Sequence, residues 1–523
     1  MQRLLALLAV LVLAAPATAQ WSSFHGDERN TGFSSGTEFG ANRSIWWEAD
    51  MPTGTKIQAS PIISNGIVII ADDPTDAKVG GVVHAYQANS GKELWNVTFK
   101  GSLIATPAID STRVYVHDDT GDLRALELTT GLELGKIAIG KSIAPAMIRQ
   151  SVLFVGNDAG VLKAIDTQTM SEFWNFDVKT IKNVRTVNPT TGAVTCTEPL
   201  AADKIQGAPA FYKHPSSTVG EVIFGTVNGY VISLPEGTTT KPEQPRWIYK
   251  TGGAITASVA IDTVYHRAII GSLDGKVYAL PVNPSGADGK CYGVHNNPFW
   301  TYTVPDEHGD GRVRATAALD GQRVYIGSLS GKMYGLNLQN GAKLWDHDTG
   351  SSILASPAAS NNIVVVANKG GEIRWLDATD GSQKELARSQ GSIEASPAIV
   401  GNRTISASFD GRVTVYGPEI PRPDLEITQT IWTSNVLSVR VRNNGPGSSG
   451  ASTLRVNFDD AFLTDLATPS LTANTDITLT YNLMLDPGVY TFVVTADADD
   501  VIAELNEDNN DREYIAEVLL PDE

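Results

Sequence analysis

Residues 355–381 read ASPAASNNIVVVANKGGEIRWLDATDG, and this stretch decides the fold. Ser356-Pro357-Ala358 opens one strand. Ile363-Val364-Val365-Val366 is a second strand, apolar throughout. Lys369-Gly370-Gly371 is a tight turn, and Glu372-Ile373-Arg374-Trp375-Leu376 alternates as a half-buried strand does. Ala378-Thr379-Asp380-Gly381 is the next turn. The preceding copy continues past this point with Lys343-Leu344-Trp345-Asp346-His347-Asp348, a fourth strand. The unit is therefore four antiparallel strands, A to D, with no helical period.

The opening phrase recurs eight times, at Ala59-Ser60-Pro61, Thr106-Pro107, Ala144-Pro145, Ala208-Pro209, Ala257-Ser258, Ala315-Thr316, Ala355-Ser356-Pro357 and Ala395-Ser396-Pro397. A period of roughly forty residues marks stacked units that cannot bury their apolar faces alone. Turns between strands B and C carry Asp274-Gly275, Asn228-Gly229, Ser330-Gly331 and Asp410-Gly411, residues suited to positive φ. Strand D carries Trp95, Trp174, Trp247, Trp300 and Trp345. The constant interval from Trp95 to Pro107 and from Trp345 to Pro357 puts the indole at one place in every unit, wedged between neighbouring sheets. Four-stranded sheets repeated about an axis make a β-propeller, here with eight blades. The last copy ends at Val413-Thr414-Val415-Tyr416 without a strand D, and Ser44-Ile45-Trp46-Trp47-Glu48 supplies it, so the N-terminal strand is expected to close the ring.

Composition is that of a folded chain: 42% hydrophobic and 19% charged over 523 residues, too many for one ordinary core. The net charge of -18 argues against nucleic acid or an anionic membrane as partner. From Asp424 onward, 18 Asp and Glu face four Arg and no Lys, a net −14. The repeat region is thus nearly neutral and the C-terminal region is a separate, acidic domain. Residues 1–19 read as a signal peptide: Arg3, an apolar Leu4 to Ala15, then Ala17-Thr18-Ala19 as a small-x-small cleavage site. No later stretch has the length of a transmembrane span. The expected division is 1–19 signal peptide, 20–417 propeller, 418–423 proline-rich linker and 424–523 β-sandwich, an exported all-β protein in the periplasm or at the cell surface.

The repeat resembles the pyrroloquinoline-quinone-like (quinoprotein) propeller family. The carriers are Phe24-His25-Gly26-Asp27 with Thr31-Gly32, Gly271-Ser272-Leu273-Asp274-Gly275-Lys276-Val277-Tyr278-Ala279-Leu280, and Gly341-Ala342-Lys343-Leu344-Trp345. The family holds quinone-dependent dehydrogenases as well as non-catalytic scaffolds such as the propeller subunit of the outer-membrane β-barrel assembly machine. The resemblance implies, for a dehydrogenase, an adjacent cysteine pair and a Glu/Asn/Asp calcium constellation beside the quinone. Cys196 and Cys291 are far apart in sequence, and no such constellation is recognisable.

Counting three residues back from the Pro position of each repeat places Gln58, Ile104, Ser142, Gln206, Thr256, Arg314, Leu354 and Glu394 around the central funnel. Of these, Gln58, Ser142, Gln206, Thr256, Arg314 and Glu394 are the candidate ligand-binding residues. A tricarboxylate quinone would want several cations, and only Arg314 qualifies, with Lys56 and Arg312 nearby. Four loops break the period: Val178 to Ile205, Val304 to Val313, Asp72 to Gly80 and Pro281 to Asn297. The first three join strands on one face of a propeller and the last joins strands on the other. Cys196 and Cys291, the candidate disulfide of an exported protein, fall on opposite faces, which argues against a bond. Asp306, His308 and Asp310 alternate before Gly311 as in the first half of a calcium loop, but position 317 is Ala where a bidentate Glu is needed.

The acidic domain has runs of period two, including Leu437-Ser438-Val439-Arg440-Val441-Arg442 and Gly488-Val489-Tyr490-Thr491-Phe492-Val493-Val494. About seven strands in about 100 residues is an immunoglobulin-like β-sandwich. Val441-Arg442-Asn443-Asn444-Gly445, Leu485-Asp486-Pro487-Gly488 and the ending from Asp499 to Asn510 resemble the bacterial cell-adhesion-related (CARDB) domain, which implies an accessory or adhesion-type module. Asp497, Asp499, Asp500, Glu504, Glu507 and Asp508 form either a calcium-chelating set or a solvated acidic rim. The reading that results is a non-catalytic binding or scaffold protein, without a cofactor, that engages a protein or surface polymer of the cell envelope. The rival readings are a quinone-dependent dehydrogenase with a degenerate site, which would take the quinone and calcium, and a glycan-binding adhesin.

Overall fold

The computed structural model describes residues 20–518 apart from 36–38, 40–42, 53, 75–79, 183, 188–193, 198–199, 202, 238, 283–297, 306–309, 419–422, 460, 500–501, 503 and 505–508. The chain divides into two compact units, Met1–Pro418 and Glu419–Glu523. Among the described residues the first unit contains eight four-stranded antiparallel sheets. In blade 6 strands A to D are Ala318–Leu319, Arg323–Gly327, Lys332–Asn337 and Lys343–Asp348. Blades 1 to 7 extend over 62–98, 108–138, 147–177, 210–250, 260–303, 318–348 and 358–388. Blade 8 is composite: Ala398–Val400, Arg403–Ala407 and Arg412–Pro418 receive Arg43–Asp50 as the outermost strand, with Trp47 opposite Val415 and Ala49 opposite Val413. The N-terminal strand closes the ring, as the split repeat requires.

The strand D tryptophan does hold adjacent blades together. Its indole N–H donates to the carbonyl that ends strand C of the next blade: Trp47 to Ala88 at 2.9 Å, Trp95 to Leu128 at 2.9 Å, Trp300 to Leu338 at 2.9 Å and Trp345 to Ala378 at 3.2 Å. The ring lies over a glycine of that neighbour's C–D turn. At Gly381 (φ +73) a Cβ would come within 2.5 Å of the Trp345 ring, so glycine is needed both for its backbone and for the space. Trp247 departs from the pattern and donates to Glu221 Oε2 of its own blade at 2.8 Å.

In six blades the register slips at the same point of the outermost pairing, after Ile45, Ala85, Ala125, Ala164, Gly335 and Trp375. Each bulge twists the edge strand, which blunts an otherwise open line of backbone donors and acceptors. The exposed leucines Leu94, Leu134 and Leu344 sit at these bulges.

Among the described residues the second unit has seven strands in two sheets. One holds Leu425–Thr433, Val436–Asn443 and Asp476–Asn482; the other holds Ser452–Phe458, Ala461–Thr468, Gly488–Thr495 and Asp511–Val518. Val439, Val441, Leu454, Val456, Phe492 and Val494 meet between them, the inward half of each alternating run. Asn443, fully buried, accepts from the Asp424 and Gly445 N–H groups at 3.0 Å and donates to the Gly447 (2.6 Å) and Leu471 (3.1 Å) carbonyls. The Asn-Asn-Gly motif is thus a turn-building device.

Candidate functional site

The A strands surround the propeller axis, and the Ser or Thr before the Pro position links them. The backbone N–H of Ala208 donates to Ser258 Oγ at 2.7 Å, Ser258 to Thr316 Oγ1 at 2.9 Å, Thr316 to Ser356 Oγ at 2.9 Å and Ser356 to Ser396 Oγ at 2.9 Å. The run crosses the closure seam, Ser396 to Ser60 Oγ at 3.0 Å, and ends at Thr106 Oγ1, 3.0 Å from the Ser60 nitrogen. Six inter-blade bonds therefore run round the axis from blade 4 through blade 8 to blade 2. The arc is open where blades 3 and 4 carry Ala144 and Ala208 at this position.

Beside this arc lies a cavity of about 160 Å³ at the channel mouth. Gln58, Gln206, Thr256, Arg314 and Glu394 line it together with Ile104 and Leu354, so the count back from the Pro position brings these residues together. Ser142 is the exception. Ile143 takes the lining position in blade 3, while Ser142 is buried, donates to the Gly156 carbonyl at 2.7 Å and accepts from the Ala144 N–H at 3.1 Å. The segment Gly140-Lys141-Ser142-Ile143-Ala144-Pro145 is one residue shorter than Gly101-Ser102-Leu103-Ile104-Ala105-Thr106-Pro107. Counting back three lands on the core position held elsewhere by Ile57, Leu103, Ile205, Ile255, Val313, Ile353 and Ile393, and the hydroxyl there has to find partners inside the blade.

The leader closes the other end of the channel. Trp21 exchanges backbone hydrogen bonds with Ile63 in blade 1 (2.9 and 2.8 Å). The carbonyls of Ser22, Glu28, Arg29, Thr31 and Gly32 then accept from Ile109, Phe211, Ile261, Leu319 and Ala359, in blades 2, 4, 5, 6 and 7. Asn30 Nδ2 donates to the Pro209 carbonyl at 3.2 Å and the Val259 carbonyl at 3.1 Å. The Asp27 carboxylate holds the turn by accepting from the Arg29 and Thr31 N–H groups, each at 3.0 Å. Buried His25 faces the Asn30 and Pro357 carbonyls at 2.8 Å, and Phe24 reaches the axial cavity from below. Nothing in the Phe-His-Gly-Asp motif alone announces this path, because its partners are spread over six blades.

A quinone does not fit these residues. Ligand sites usually start near 300 Å³, about twice the space at this mouth. Among the described residues Arg314 is the one cation lining it, and Glu394, bridged to Lys369 at 3.5 Å, contributes a carboxylate to the same wall. Three carboxylates would face one guanidinium.

Asp310 is engaged by Arg312 through both oxygens, at 2.7 and 2.6 Å, which holds its carboxyl below the usual range. Asp306 and His308 lie outside the described residues, as do Cys291 and the side chain of Cys196. No cluster of three metal-ligating side chains occurs among the described residues. In the sandwich Asp497 and Glu504 are buried; Asp497 Oδ2 accepts from the Ile502 N–H at 2.7 Å, Glu504 accepts from the Leu425 N–H, and Asp499 pairs with Arg455 at 3.0 Å. These carboxylates have structural partners; Asp500, Glu507 and Asp508 lie outside the described residues.

A third polar cluster gave no sequence signal. In blade 1, His84 donates from Nδ1 to Glu93 at 2.8 Å and from Nε2 to Asp72 at 3.4 Å, and its ring stacks on Tyr86 at 6.0 Å. No helix of the described residues is long and apolar enough to cross a membrane.

The family model described as outer membrane protein assembly factor BamB matches residues 39–282, 182–352 and 341–422, and the CARDB family model matches 422–514. A curated relative, outer membrane protein assembly factor BamB of Moranella endobia, is 22% identical over 354 residues, 64% of this chain and 80% of that protein. Among solved structures, BamB from Moraxella catarrhalis superposes with a TM-score of 0.53 at 16% identity, covering 72% of this chain and 100% of that one. Quinohemoprotein alcohol dehydrogenase from Comamonas testosteroni gives 0.56 at 14% identity, covering 80% and 84%. At these identities the two structural likenesses speak for the propeller fold.

Proposed function

The chain belongs to the BamB-like family of PQQ-like propellers and carries a CARDB domain after it; from that membership we propose that it is an exported, non-catalytic protein-binding scaffold of the cell envelope. One observation about the faces carries the reading. The A–B face is occupied by the leader, hydrogen-bonded to six blades. The opposite face keeps the open channel mouth, and from it leave the described ends of three of the four connections that break the repeat, one of which carries the hairpin of Val184–Val187 and Val194–Thr197. Binding residues concentrate in such departures from a rigid repeat. The partner is therefore expected on the D–A and B–C face, with the acidic CARDB domain as an accessory module.

The test is site-specific photo-crosslinking in the cell envelope. A photoreactive residue replaces exposed Gln390 or Arg312 on the D–A face, or Lys213 or Val264 on the A–B face. One discrete protein, identified by mass spectrometry, should crosslink from the first pair and not from the second. Crosslinks from the A–B face alone would refute the assignment of faces. Quinone-dependent dye reduction by the purified chain would refute the non-catalytic reading.

A further inference from the structure

We propose that the open channel mouth is a carboxylate-binding site, built by blades 4, 5 and 6, that takes one small anionic group. The group is either a free small anion or a side-chain or C-terminal carboxylate of the protein partner; only the second source rests on the function proposed above.

The wall of the mouth carries unused donors. A hydroxyl can donate once and accept twice. Ser60, Thr106, Ser258, Thr316, Ser356 and Ser396 are all buried, 6% exposed or less, and each accepts from a neighbouring blade's N–H. None of them donates to an acceptor among the described residues, and all six line the same cavity. Thr256 Oγ1 is shielded from solvent and has no hydrogen-bond partner among the described residues. The half-buried Gln206 carboxamide and the exposed Arg314 guanidinium also line the cavity, without a hydrogen bond or ion pair among the described residues, so they add reach and charge at its rim while the shielded donors are the hydroxyls. Gln206, Thr256 with Ser258, and Arg314 with Thr316 belong to consecutive blades, so these donors form one sector of the wall.

Polar groups withdrawn from water normally find partners, and a buried donor without an acceptor is costly. A sector with unused donors and one positive charge is complementary to an anion. A cation would meet the Arg314 charge and hydroxyl oxygens that already accept a backbone N–H. The carboxylate in the wall, Glu394, stands in blade 8 outside that sector, beside Lys369. Size points the same way: about 160 Å³ holds a carboxylate-sized head group with water, and one guanidinium matches one charge.

Crystals of the full chain soaked in bromoacetate should show an anomalous bromine peak at the mouth, beside Thr256 and Arg314. In solution, acetate and a short peptide with a free C-terminal carboxylate should compete for one site. The amidated peptide should bind at least about tenfold more weakly. Arg314→Gln and Thr256→Val should each weaken acetate binding, the first by about tenfold or more, with unchanged circular dichroism and melting temperature. Thr256→Val keeps the test valid if the Arg314 variant is unstable, because Thr256 accepts no backbone hydrogen bond. Competition by the peptide acid assigns the carboxylate to a protein partner. Acetate binding without peptide binding assigns it to a free anion and leaves the crosslinking result to decide the scaffold reading. No bromine peak at the mouth, or acetate binding that neither substitution weakens, would overturn the site.

Discussion

Replacing Gly381 by Ala tests the seat of the strand D tryptophan, on which the blade packing depends. Two costs are separable. The first is backbone: at φ +73 an L-residue is in the left-handed region, at roughly 1–2 kcal/mol. The second is space: the added Cβ would lie 2.5 Å from the Trp345 ring, far inside van der Waals contact. Overpacking of this kind costs about 1–3 kcal/mol. Displacing the indole also strains its 3.2 Å bond to the Ala378 carbonyl, worth about 1 kcal/mol. Gly350 supplies the control: its φ is +77 and nothing lies within 4 Å of the position a Cβ would take. Gly350→Ala therefore reports backbone strain alone, and Gly381→Ala should cost about 2 kcal/mol more. Hydrogen exchange of the Lys343–Asp348 amides and of Gly381 reads the local opening free energy without assuming two-state unfolding of a two-unit chain. In a Trp345→Ala background, itself destabilised by about 3–5 kcal/mol, the extra cost at Gly381 should fall to that at Gly350. Equal costs at the two glycines in the native background, or a coupling with Trp345 below about 0.5 kcal/mol, would refute the packing argument.

Ser60→Ala removes the acceptor for the Ser396 N–H at the closure seam and should lower stability by about 1–3 kcal/mol, read as a downward shift of the denaturation midpoint. At His84, burial opposes the charged ring, but the hydrogen bonds and charges of Asp72 and Glu93 outweigh it and raise its pKa above the ordinary 6.5. Its contribution is complete below the unfolded pKa and is lost as pH rises through the folded one. The stability difference between the wild type and His84→Gln, followed by melting temperature against pH, should therefore be largest on the acid side and shrink above neutrality; a difference that grows with pH contradicts this. In the sandwich, Asn443→Ala abolishes four hydrogen bonds of a fully buried side chain and should cost on the order of 3 kcal/mol, measured by the unfolding of that unit.

Period, turn chemistry and alternation are local properties, and they sufficed for the propeller and for the sandwich. The Trp345-to-Pro357 interval predicts an indole between blades because one unit's geometry repeats. The need for Ser44 to Glu48 to complete the last blade follows from counting strands. The funnel positions were legible wherever the repeat keeps its length, at Gln58, Gln206, Thr256, Arg314 and Glu394, and they failed at Ser142, where one deleted residue shifted the count onto a core position. The hydroxyls of Ser60, Thr106, Ser258, Thr316, Ser356 and Ser396 were in plain view as part of the repeating phrase. Their role was not, because each acts on a backbone N–H in a different blade, and only closure of the ring brings Ser396 to Ser60. The leader is the extreme case: its partners run from Ile63 to Ala359, and nothing local to residues 20–35 encodes them. Local pattern specifies how each sheet is built, whereas the groups left to meet at the axis depend on all the sheets being in place at once.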